Sequence, residues 1–345
     1  MNIANTSNST TRTEPRKAEA KALERAAARR RPITGQQYSI SSGPYSATIA
    51  ELGAGLRALT FEGHDIVVSY DPNRTIPCCN GYVLVPFPNR LEDGEYSFEG
   101  TDHALPIDER DRQTALHGLG YRYMWDLKSL TDTSVTLTWR TPAIIGYPFD
   151  VLVTVTYSLD DDGLAMTCTA TNLGECDAPW AFGMHPWLSN GRSGYGNDEI
   201  EADNALCSLR VPGNAHVIAS KDRLLPQGEE SVEHTAYDIR EATSLRGRSF
   251  DDAWTDLDRA EDGSSTAVFT RPDGIAVHLT GDATINAWQV CTGTGFPAES
   301  HPAGVAVEPM TAYANAFRTG RDLVSIRARE CYETTLRYHA EHVSA

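Results

Sequence analysis

Residues 151–172, VLVTVTYSLDDDGLAMTCTATN, contain two alternating runs separated by a cluster of turn-forming residues. In the second run, Leu164 to Thr171, Leu164, Met166, Cys168 and Ala170 face one way and three threonines face the other, which is typical of a half-buried antiparallel strand. Asp160 to Gly163 predicts a tight turn, because aspartate and glycine tolerate the positive φ that hairpin turns require. The stretch therefore predicts a β-hairpin with one buried face.

The same alternation recurs from Tyr38 to the C-terminal region. Further strands are predicted at Ser46 to Ile49, Val135 to Trp139, Ala267 to Thr270, Ala276 to Thr280 and Tyr332 to Tyr338. No segment after residue 38 predicts a helix of comparable clarity. Because each strand has one apolar face to bury, many strands without helices predict sheets packed face to face. We therefore predict an all-β fold, a large antiparallel β-sandwich, in one domain spanning residues 37–342.

The first 36 residues differ in composition from the rest. Residues 1–32 contain eight Lys or Arg against three Asp or Glu, a charge of +5. Because the whole chain has a net charge of −17, the remaining residues carry −22. Apart from Leu23, residues 14–31 have almost no apolar side chain, and their basic residues repel one another at i, i+4 spacing. We predict that residues 1–36 form a disordered basic tail; an arm that binds nucleic acid or a partner is the alternative.

Charge and cysteine content restrict the partners and the compartment. A strongly acidic body repels nucleic acid phosphates and anionic membranes, which favours a small-molecule ligand. The seven cysteines are scattered, odd in number and without a CxxC pair, as expected for reduced thiols. The N-terminus lacks the apolar region of a secretory signal, and no run approaches the ~18 apolar residues of a membrane span. We therefore expect a cytoplasmic protein, monomeric or homodimeric.

The segment WAFGMHPWL, residues 180–188, places one titratable side chain, His185, in an apolar run directly before a proline. Pro186 disfavours helical backbone angles at His185, so we expect an extended histidine at the mouth of a strand among Trp180, Phe182 and Trp187. An aromatic pocket with one proton carrier indicates a ligand site. A core histidine bonded to a backbone carbonyl is the alternative.

Two further segments contain candidate binding residues. In PFPNRLEDG, residues 86–94, Arg90 follows Asn89 after an apolar, proline-rich approach, where its planar fork of donors can bind oxygen ligands. The alternative is a surface arginine paired with Glu92 or Asp93. In ALHGLGY, residues 115–121, glycines on the C-terminal side of His117 allow a ligand to approach the backbone closely, although an ordinary turn histidine fits equally well.

Two segments supply carboxylates. In SFDDAWTD, residues 249–256, Asp251 or Asp252 can accept a bond from an imidazole or a hydroxyl group. In GVAVEPM, residues 304–310, Glu308 ends an apolar strand-like run before a proline, where partial desolvation raises the pKa of a carboxylate toward the range of a general base. An exposed glutamate that merely ends the strand is the alternative.

Several other chemistries lack their motifs. The sequence has no HExxH, no regular His/Cys ligand spacing, no GxGxxG after a strand, no GxxxxGK[ST] and no GxSxG. The remaining inventory of two histidines, carboxylates and an arginine favours proton transfer without a metal or an organic cofactor.

Taken in order, PNRLEDGEYSFEG, LHGLGYRYMWDL, GYPFDVLVTVTYSL, AFGMHPWL, FDDAWTDL, WQVCTGTG and AVEPMTAYANAF resemble the bacterial members of the aldose 1-epimerase, or galactose mutarotase, family. The resemblance covers most of residues 38–338. It implies a large antiparallel β-sandwich with an open cleft for a monosaccharide.

The resemblance also implies roles for individual residues. His185 resembles the acid that protonates the pyranose ring oxygen, and Glu308 resembles the base that takes the anomeric hydroxyl proton. The remaining candidates, which resemble residues that hold and orient the sugar, are His117, Arg90, Asn89, Asp251 and Trp187. The implied reaction is exchange of the α and β anomers of a free aldohexose such as galactose or glucose, with no cofactor.

Three positions depart from the family pattern, and other functions stay open. Cys291 stands where many members have tyrosine, Ala314 stands where proline is common, and Asp251 has an acidic neighbour, Asp252. A non-catalytic sugar-binding or sugar-sensing protein, a mutarotase for an anionic hexose, or a two-carboxylate glycoside hydrolase or polysaccharide lyase are the alternatives.

Overall fold

The computed structural model describes residues 31–192 and 199–343. Within these ranges the chain forms 27 strands, numbered here in chain order, and two short α-helices. Residues 1–30 of the predicted tail lie outside the described residues. Near the end of that predicted tail, Thr34 is buried and donates from Oγ1 to the carbonyl of Pro72 at 3.0 Å, so the packed chain begins before the predicted boundary at residue 36. From Ile33 onward the described chain is one compact unit, with the first strand beginning at Gln37 and the last ending at His342.

The larger sheet, called here the cleft sheet, has twelve strands. In chain order they are β1 (Gln37–Ser42), β2 (Tyr45–Ala50), β3 (Leu56–Phe61), β4 (His64–Val67), β5 (Val83–Leu84), β15 (Gly183–Met184), β16 (Trp187–Ser189), β18 (Gly213–Ala219), β19 (Pro226–Ser231), β21 (Asp251–Leu257), β24 (Ala287–Cys291) and β25 (Gly304–Met310). Their main spatial order is β1-β2-β3-β4-β16-β25-β24-β21-β18-β19, and β15 joins β25 to β5. All of these pairings are antiparallel.

The second sheet, called here the backing sheet, has nine strands. They are β10 (Asp126–Leu130), β11 (Ser134–Arg140), β12 (Val151–Asp160), β13 (Gly163–Asn172), β17 (Ser208–Arg210), β20 (Thr243–Ser244), β22 (Ser265–Thr270), β23 (Ile275–Gly281) and β27 (Cys331–His342). Their spatial order is β10-β11-β12-β13-β27-β23-β22-β17-β20.

Three two-stranded ribbons and a few helical turns complete the described chain. The ribbons pair β6 (Arg90–Glu92) with β9 (Thr114–Leu116), β7 (Glu95–Phe98) with β8 (Thr101–Ala104), and β14 (Ala178–Trp180) with β26 (Val324–Ile326). The helices are α1 (Ile200–Asn204) and α2 (Ala316–Thr319), with 3₁₀ turns at Pro77–Cys79 and Gly120–Arg122. Among the described residues, no helix has the length and apolar character needed to cross a membrane.

The predicted hairpin is confirmed at the centre of the backing sheet. Strands β12 and β13 pair along their whole length and close at Asp160 opposite Gly163. Along β13, Leu164, Met166, Cys168 and Ala170 are buried while the threonines between them are half-buried. The remaining predicted strands lie within β2, β11, β12, β22, β23 and β27, so the all-β sandwich is confirmed.

The two faces of the cleft sheet have different roles. Residues directly opposite each other on antiparallel strands share a face, and Gln289 lies opposite Glu308 while Asp251 lies opposite Cys291. These four therefore share one face. The alternate residues, including Val290 and Val307, point to the other face and belong to the core against the backing sheet. Tyr157, Trp254, Trp288 and Tyr338 are large side chains of that core and are fully buried.

Candidate active site

A cleft of about 150 Å³ opens on the face of the cleft sheet that carries Glu308. The side chains around it come from several separate elements of the chain. They are Cys78, Cys79, Asn89, Arg90, Leu116, His117, His185, Trp187, Asp251, Gln289, Cys291, Phe296 and Glu308. Every residue proposed from the sequence as catalytic or sugar-binding therefore lines one cleft, except Asp252, the alternative to Asp251.

His185 lies between β15 and β16. Its N–H donates to the carbonyl of Tyr82 at 3.0 Å and its carbonyl accepts from the N–H of Gly81 at 2.8 Å, so the backbone on both sides of the ring is fixed. The ring stacks on Trp187 with 6.1 Å between centroids. The sequence placed Trp180 and Phe182 beside it as well, which is wrong: both belong to the core cluster, and only Trp187 of the three lines the cleft.

Glu308 lies inside β25 rather than at its end. The strand continues through Pro309 to Met310, and Pro309 lies opposite Trp288 of β24. The expectation that the strand ends at Glu308 is therefore wrong, because the proline is accommodated within the strand. The side chain is only 2% exposed, so Glu308 is far more deeply buried than a residue at a strand terminus.

The two titratable groups form a close pair, with His185 Nε2 3.3 Å from Glu308 Oε1. Burial, with Asp251 adding to it, raises the pKa of Glu308 well above its ordinary value, and burial lowers the pKa of His185 to about 4. Both shifts favour the arrangement in which the carboxyl group carries a proton and the imidazole is neutral. Within the described chain, His185 Nδ1 and Glu308 Oε2 are buried without a hydrogen-bond partner. Both atoms belong to residues that line the cleft, where a polar ligand can bind them.

His117 and Asn89 hold each other at the adjoining ends of β9 and β6. The N–H of His117 donates to the carbonyl of Asn89 at 2.9 Å, and the N–H of Asn89 donates to Nδ1 of His117 at 3.1 Å. Burial, with the neighbouring His185, lowers the pKa of His117 well below its ordinary value, so the ring is neutral. Because Nδ1 accepts, the proton of the neutral ring is on Nε2. His117 can therefore donate a hydrogen bond from Nε2.

Arg90 begins β6, and its guanidinium binds Glu109. Nε lies 2.8 Å from Oε2 and Nη2 lies 3.1 Å from Oε1, a two-point contact that fixes the plane of the group. Glu92 and Asp93, the partners considered from the sequence, instead pair with Arg223 and Arg318. Burial lowers the pKa of Arg90, but the bond to Glu109 and the nearby charges of Asp251, Glu109 and Glu308 together outweigh it and raise that pKa. Arg90 is therefore a permanently charged donor at the cleft.

Asp251, rather than Asp252, faces the cleft. Neighbouring residues of a strand point to opposite faces of the sheet, and Asp251 shares its face with Gln289. Oδ1 of Asp251 accepts a bond from Nε2 of Gln289 at 2.9 Å, and Oε1 of Gln289 accepts from Nδ2 of Asn89 at 3.3 Å. Partial loss of water around the Asp251 carboxylate raises its pKa. The residue is nevertheless still exposed at the mouth of the cleft.

Comparison with known proteins shows the family of the chain. The aldose 1-epimerase family profile matches residues 36–339. The uncharacterized protein YihR of Escherichia coli K12 is 32% identical over 297 residues, covering 86% of this chain and 90% of that protein. The chain belongs to the aldose 1-epimerase family.

Solved structures share the fold that this family adopts. A GalM/aldose epimerase homologue from C. elegans superposes with a TM-score of 0.75 at 21% identity, covering 90% of this chain and 99% of that one. Galactose 1-epimerase from Lactobacillus acidophilus NCFM superposes with a TM-score of 0.71 at 16% identity, covering 88% and 92%. The predicted family and the predicted fold are confirmed.

Sequence reasoning missed three residues of the site in this family member. Gln289 joins Asn89 to Asp251, Glu109 holds Arg90, and Cys79 lines the cleft. A signal existed for Gln289, which is a lone polar residue between Trp288 and Val290 in a buried strand. Glu109 and Cys79 lie in irregular segments with no periodicity, so nothing local in the sequence marked them.

One group of side chains has the spacing of a metal site. The ligand atoms of Cys79, His117 and His185 lie within 4.8 Å of one another. Two features disfavour a metal there. Nδ1 of His117 accepts the Asn89 amide, which leaves the proton on Nε2, and burial raises the pKa of the Cys79 thiol to about 12, so the thiol keeps its proton. The group is better suited to donating hydrogen bonds than to binding a cation.

Proposed function

We propose that this protein is an aldose 1-epimerase that exchanges the α and β anomers of a free neutral aldohexose. The observation that carries the proposal is the buried His185–Glu308 pair, with 3.3 Å between Nε2 and Oε1. Each member also has a buried polar atom that no described residue binds. A reaction that moves one proton onto an oxygen and another off an oxygen needs such a pair and no further chemical group.

Ring opening starts with the pair's proton on His185. Nε2–H of His185 gives its proton to the pyranose ring oxygen while Glu308 takes the proton of the anomeric hydroxyl. The bond between C1 and the ring oxygen breaks, and the anomeric oxygen becomes the aldehyde carbonyl. The sugar neither gains nor loses a proton overall, since His185 supplies one and Glu308 removes one.

Ring closure uses the opposite arrangement. After rotation about the C1–C2 bond, neutral His185 takes the proton of the C5 hydroxyl as that oxygen attacks the other face of the carbonyl. Glu308 returns its proton to the carbonyl oxygen, which becomes the hydroxyl of the other anomer. Burial favours this neutral arrangement in the unliganded cleft, because it raises the pKa of Glu308 and lowers the pKa of His185. Opening therefore starts with the proton of the pair on His185, and closing starts with that proton on Glu308.

The other cleft residues bind and orient the sugar in this proposal. His117 offers a donor from Nε2, Arg90 offers guanidinium donors, and Asp251 accepts from sugar hydroxyls. Asn89 holds His117 and Gln289, and Trp187 supplies an apolar face beside His185. Hydroxyl groups that both donate and accept suit this mixture of donors and acceptors.

The charges of the cleft favour a neutral sugar over an anionic one. Among the described residues that line it, Arg90 carries the single positive charge, and Glu109 already neutralises that charge through two contacts. Asp251 and Glu308 are acidic. An anionic hexose would place a further negative charge beside these two carboxyl groups without a free cation.

Anomer exchange of several pure anomers tests the proposal. Fresh α-galactose, α-glucose and a hexuronic acid are each followed by polarimetry with and without enzyme, and reducing ends are measured in parallel on glycosides. We expect accelerated decay of optical rotation for a neutral aldose, less acceleration for the uronic acid, and no new reducing ends. Binding of the sugars without acceleration would instead support the non-catalytic alternative, and release of reducing ends would support a hydrolase.

A further inference from the structure

A buried histidine lies between two carboxylates on the face of the cleft sheet opposite the cleft. His216 of β18 has Nε2 2.9 Å from Asp252 Oδ1 and Nδ1 3.0 Å from Glu230 Oε1. Its side chain is 4% exposed. The ring stacks on Tyr237 with 3.4 Å between centroids and 9° between planes. None of these residues takes part in the reaction described above.

The contacts of His216 depend on which of its ring nitrogens carry hydrogen. Ionised carboxylates only accept, so both contacts of His216 are complete only when both ring nitrogens carry hydrogen. Glu230 belongs to β19 and Asp252 to β21, so the imidazole ties its own strand to both neighbours. Removing the ring would leave Asp252, which is half-buried, without the donor that fixes its Oδ1.

A short chain of bonds leads from His216 through the sheet to the cleft. Oδ2 of Asp252 accepts the N–H of Asp251 at 3.1 Å. Asp251 is the first residue of β21, and its carboxylate accepts from Gln289 on the cleft face. The two oxygens of Asp252 therefore connect His216 on one side of the sheet to the backbone of Asp251. Rotation of the Asp252 carboxylate would break its bond to the N–H of Asp251. The Asp251 side chain would then no longer be held pointing into the cleft.

We propose that His216 is a positioning residue for sugar binding, which acts by holding Asp252 so that Asp251 points into the cleft. The inference rests on the proposed function, in which Asp251 accepts from a sugar hydroxyl. His216 touches neither the sugar nor the His185–Glu308 pair. Loss of its bond to Asp252 therefore raises KM and leaves kcat close to that of the wild type.

Two conservative variants separate this role from a general structural one. In His216→Gln the amide nitrogen replaces Nε2 and keeps the bond to Asp252, whereas in His216→Asn the amide nitrogen replaces Nδ1 and keeps only the bond to Glu230. His216→Phe keeps the stack on Tyr237 and loses both bonds. We expect KM to rise about tenfold in His216→Asn and His216→Phe and to stay within about twofold in His216→Gln, since one bond to a charged group is at stake.

The variants are compared by anomer-exchange kinetics, by sugar binding through tryptophan fluorescence, and by thermal melting as a check on folding. Adding Asp251→Asn to His216→Phe should raise KM no further than Asp251→Asn alone, because both changes act on one contact. Equal KM values in the Gln and Asn variants, or a KM in all three equal to that of the wild type, would overturn the inference. A wild-type protein that binds sugar without exchanging anomers refutes the proposed function, and the binding constants of the variants then still decide the role of His216.

Discussion

Replacing Glu308 by Gln and His185 by Asn removes the proton carriers while keeping side chains of similar shape. Each change should lower kcat by at least about 100-fold, because a positioned acid or base contributes roughly 10²–10⁴-fold. A 100-fold loss corresponds to about 2.7 kcal/mol of transition-state stabilisation. The sugar contacts of His117, Arg90 and Asp251 remain, so KM should change much less than kcat.

The double variant gives the sharper result. If the two groups acted independently, losses of about 100-fold each would multiply to about 10⁴-fold. His185 Nε2 and Glu308 Oε1 are 3.3 Å apart and both take part in each step of the proposed reaction, so they act as a unit. The double variant should therefore be no more than about tenfold slower than the slower single variant. Polarimetry of a fresh anomer gives kcat and KM, with the spontaneous rate in buffer subtracted.

Stability provides the control in this experiment. Because burial raises the pKa of Glu308 in the folded protein, the contribution of Glu308 to stability is fully present below its ordinary pKa and is lost as pH rises through the raised value. Glutamine does not titrate, so Glu308→Gln should melt no lower than the wild type, with an advantage that grows as pH rises. A folded Glu308→Gln protein with mutarotation near the wild-type rate would refute the reasoning.

Four further predictions follow from the site, from a glycine beside it and from the sequence. The pH profile of kcat/KM should show an acid limb near pH 4, where the pair gains a second proton on His185, and an alkaline limb that Glu308→Gln removes; a profile without the acid limb would contradict the assignment. Gly118 has φ +68° and a Cβ there would lie 2.3 Å from the Val85 carbonyl oxygen, whereas Gly100 at φ +77° faces open space. Gly118→Ala should thus lower the free energy of unfolding by roughly 1–3 kcal/mol more than Gly100→Ala in denaturant titrations, and it should displace His117 and reduce activity. Deleting residues 1–32, which stops short of the buried and hydrogen-bonded Thr34, should leave activity and Tm nearly unchanged, and a drop of several degrees would show that the segment packs on the domain. Dialysis against a chelator should leave activity unchanged, whereas loss of activity restored by a divalent ion would show that proton transfer is an incomplete account.

The alternation of apolar and polar residues was sufficient to predict the sandwich. Between Leu164 and Ala170 every second residue is apolar, and a strand with this pattern has only one way to bury that face. The turn at Asp160–Gly163 then indicated that β12 and β13 are neighbours in the sheet. Pairings between strands distant in sequence, such as β16 with β25, leave no local pattern and were not predicted.

The sequence predicted which residues form the candidate site but not which other residues hold them in place. His185 and Glu308 stood out because polar residues interrupt apolar runs beside prolines. The partners of Arg90 and Asp252 did not, because Glu109 lies 19 residues from Arg90 and His216 lies 36 residues from Asp252. Such contacts depend on how loops and strands meet in space. The choice between Asp251 and Asp252 became clear once the register of β21 against β24 assigned each residue to a face.

The central claim, that this protein catalyses proton transfer at sugar oxygens only, is tested most directly by exchange NMR of an equilibrated aldose in D₂O. With enzyme present, magnetisation should pass between the H1 signals of the α and β anomers faster than in buffer. The anomer ratio should stay constant, and no deuterium should enter C1 or C2, since no C–H bond breaks. Exchange no faster than in buffer for every aldose tested, or deuterium at carbon, would contradict the account.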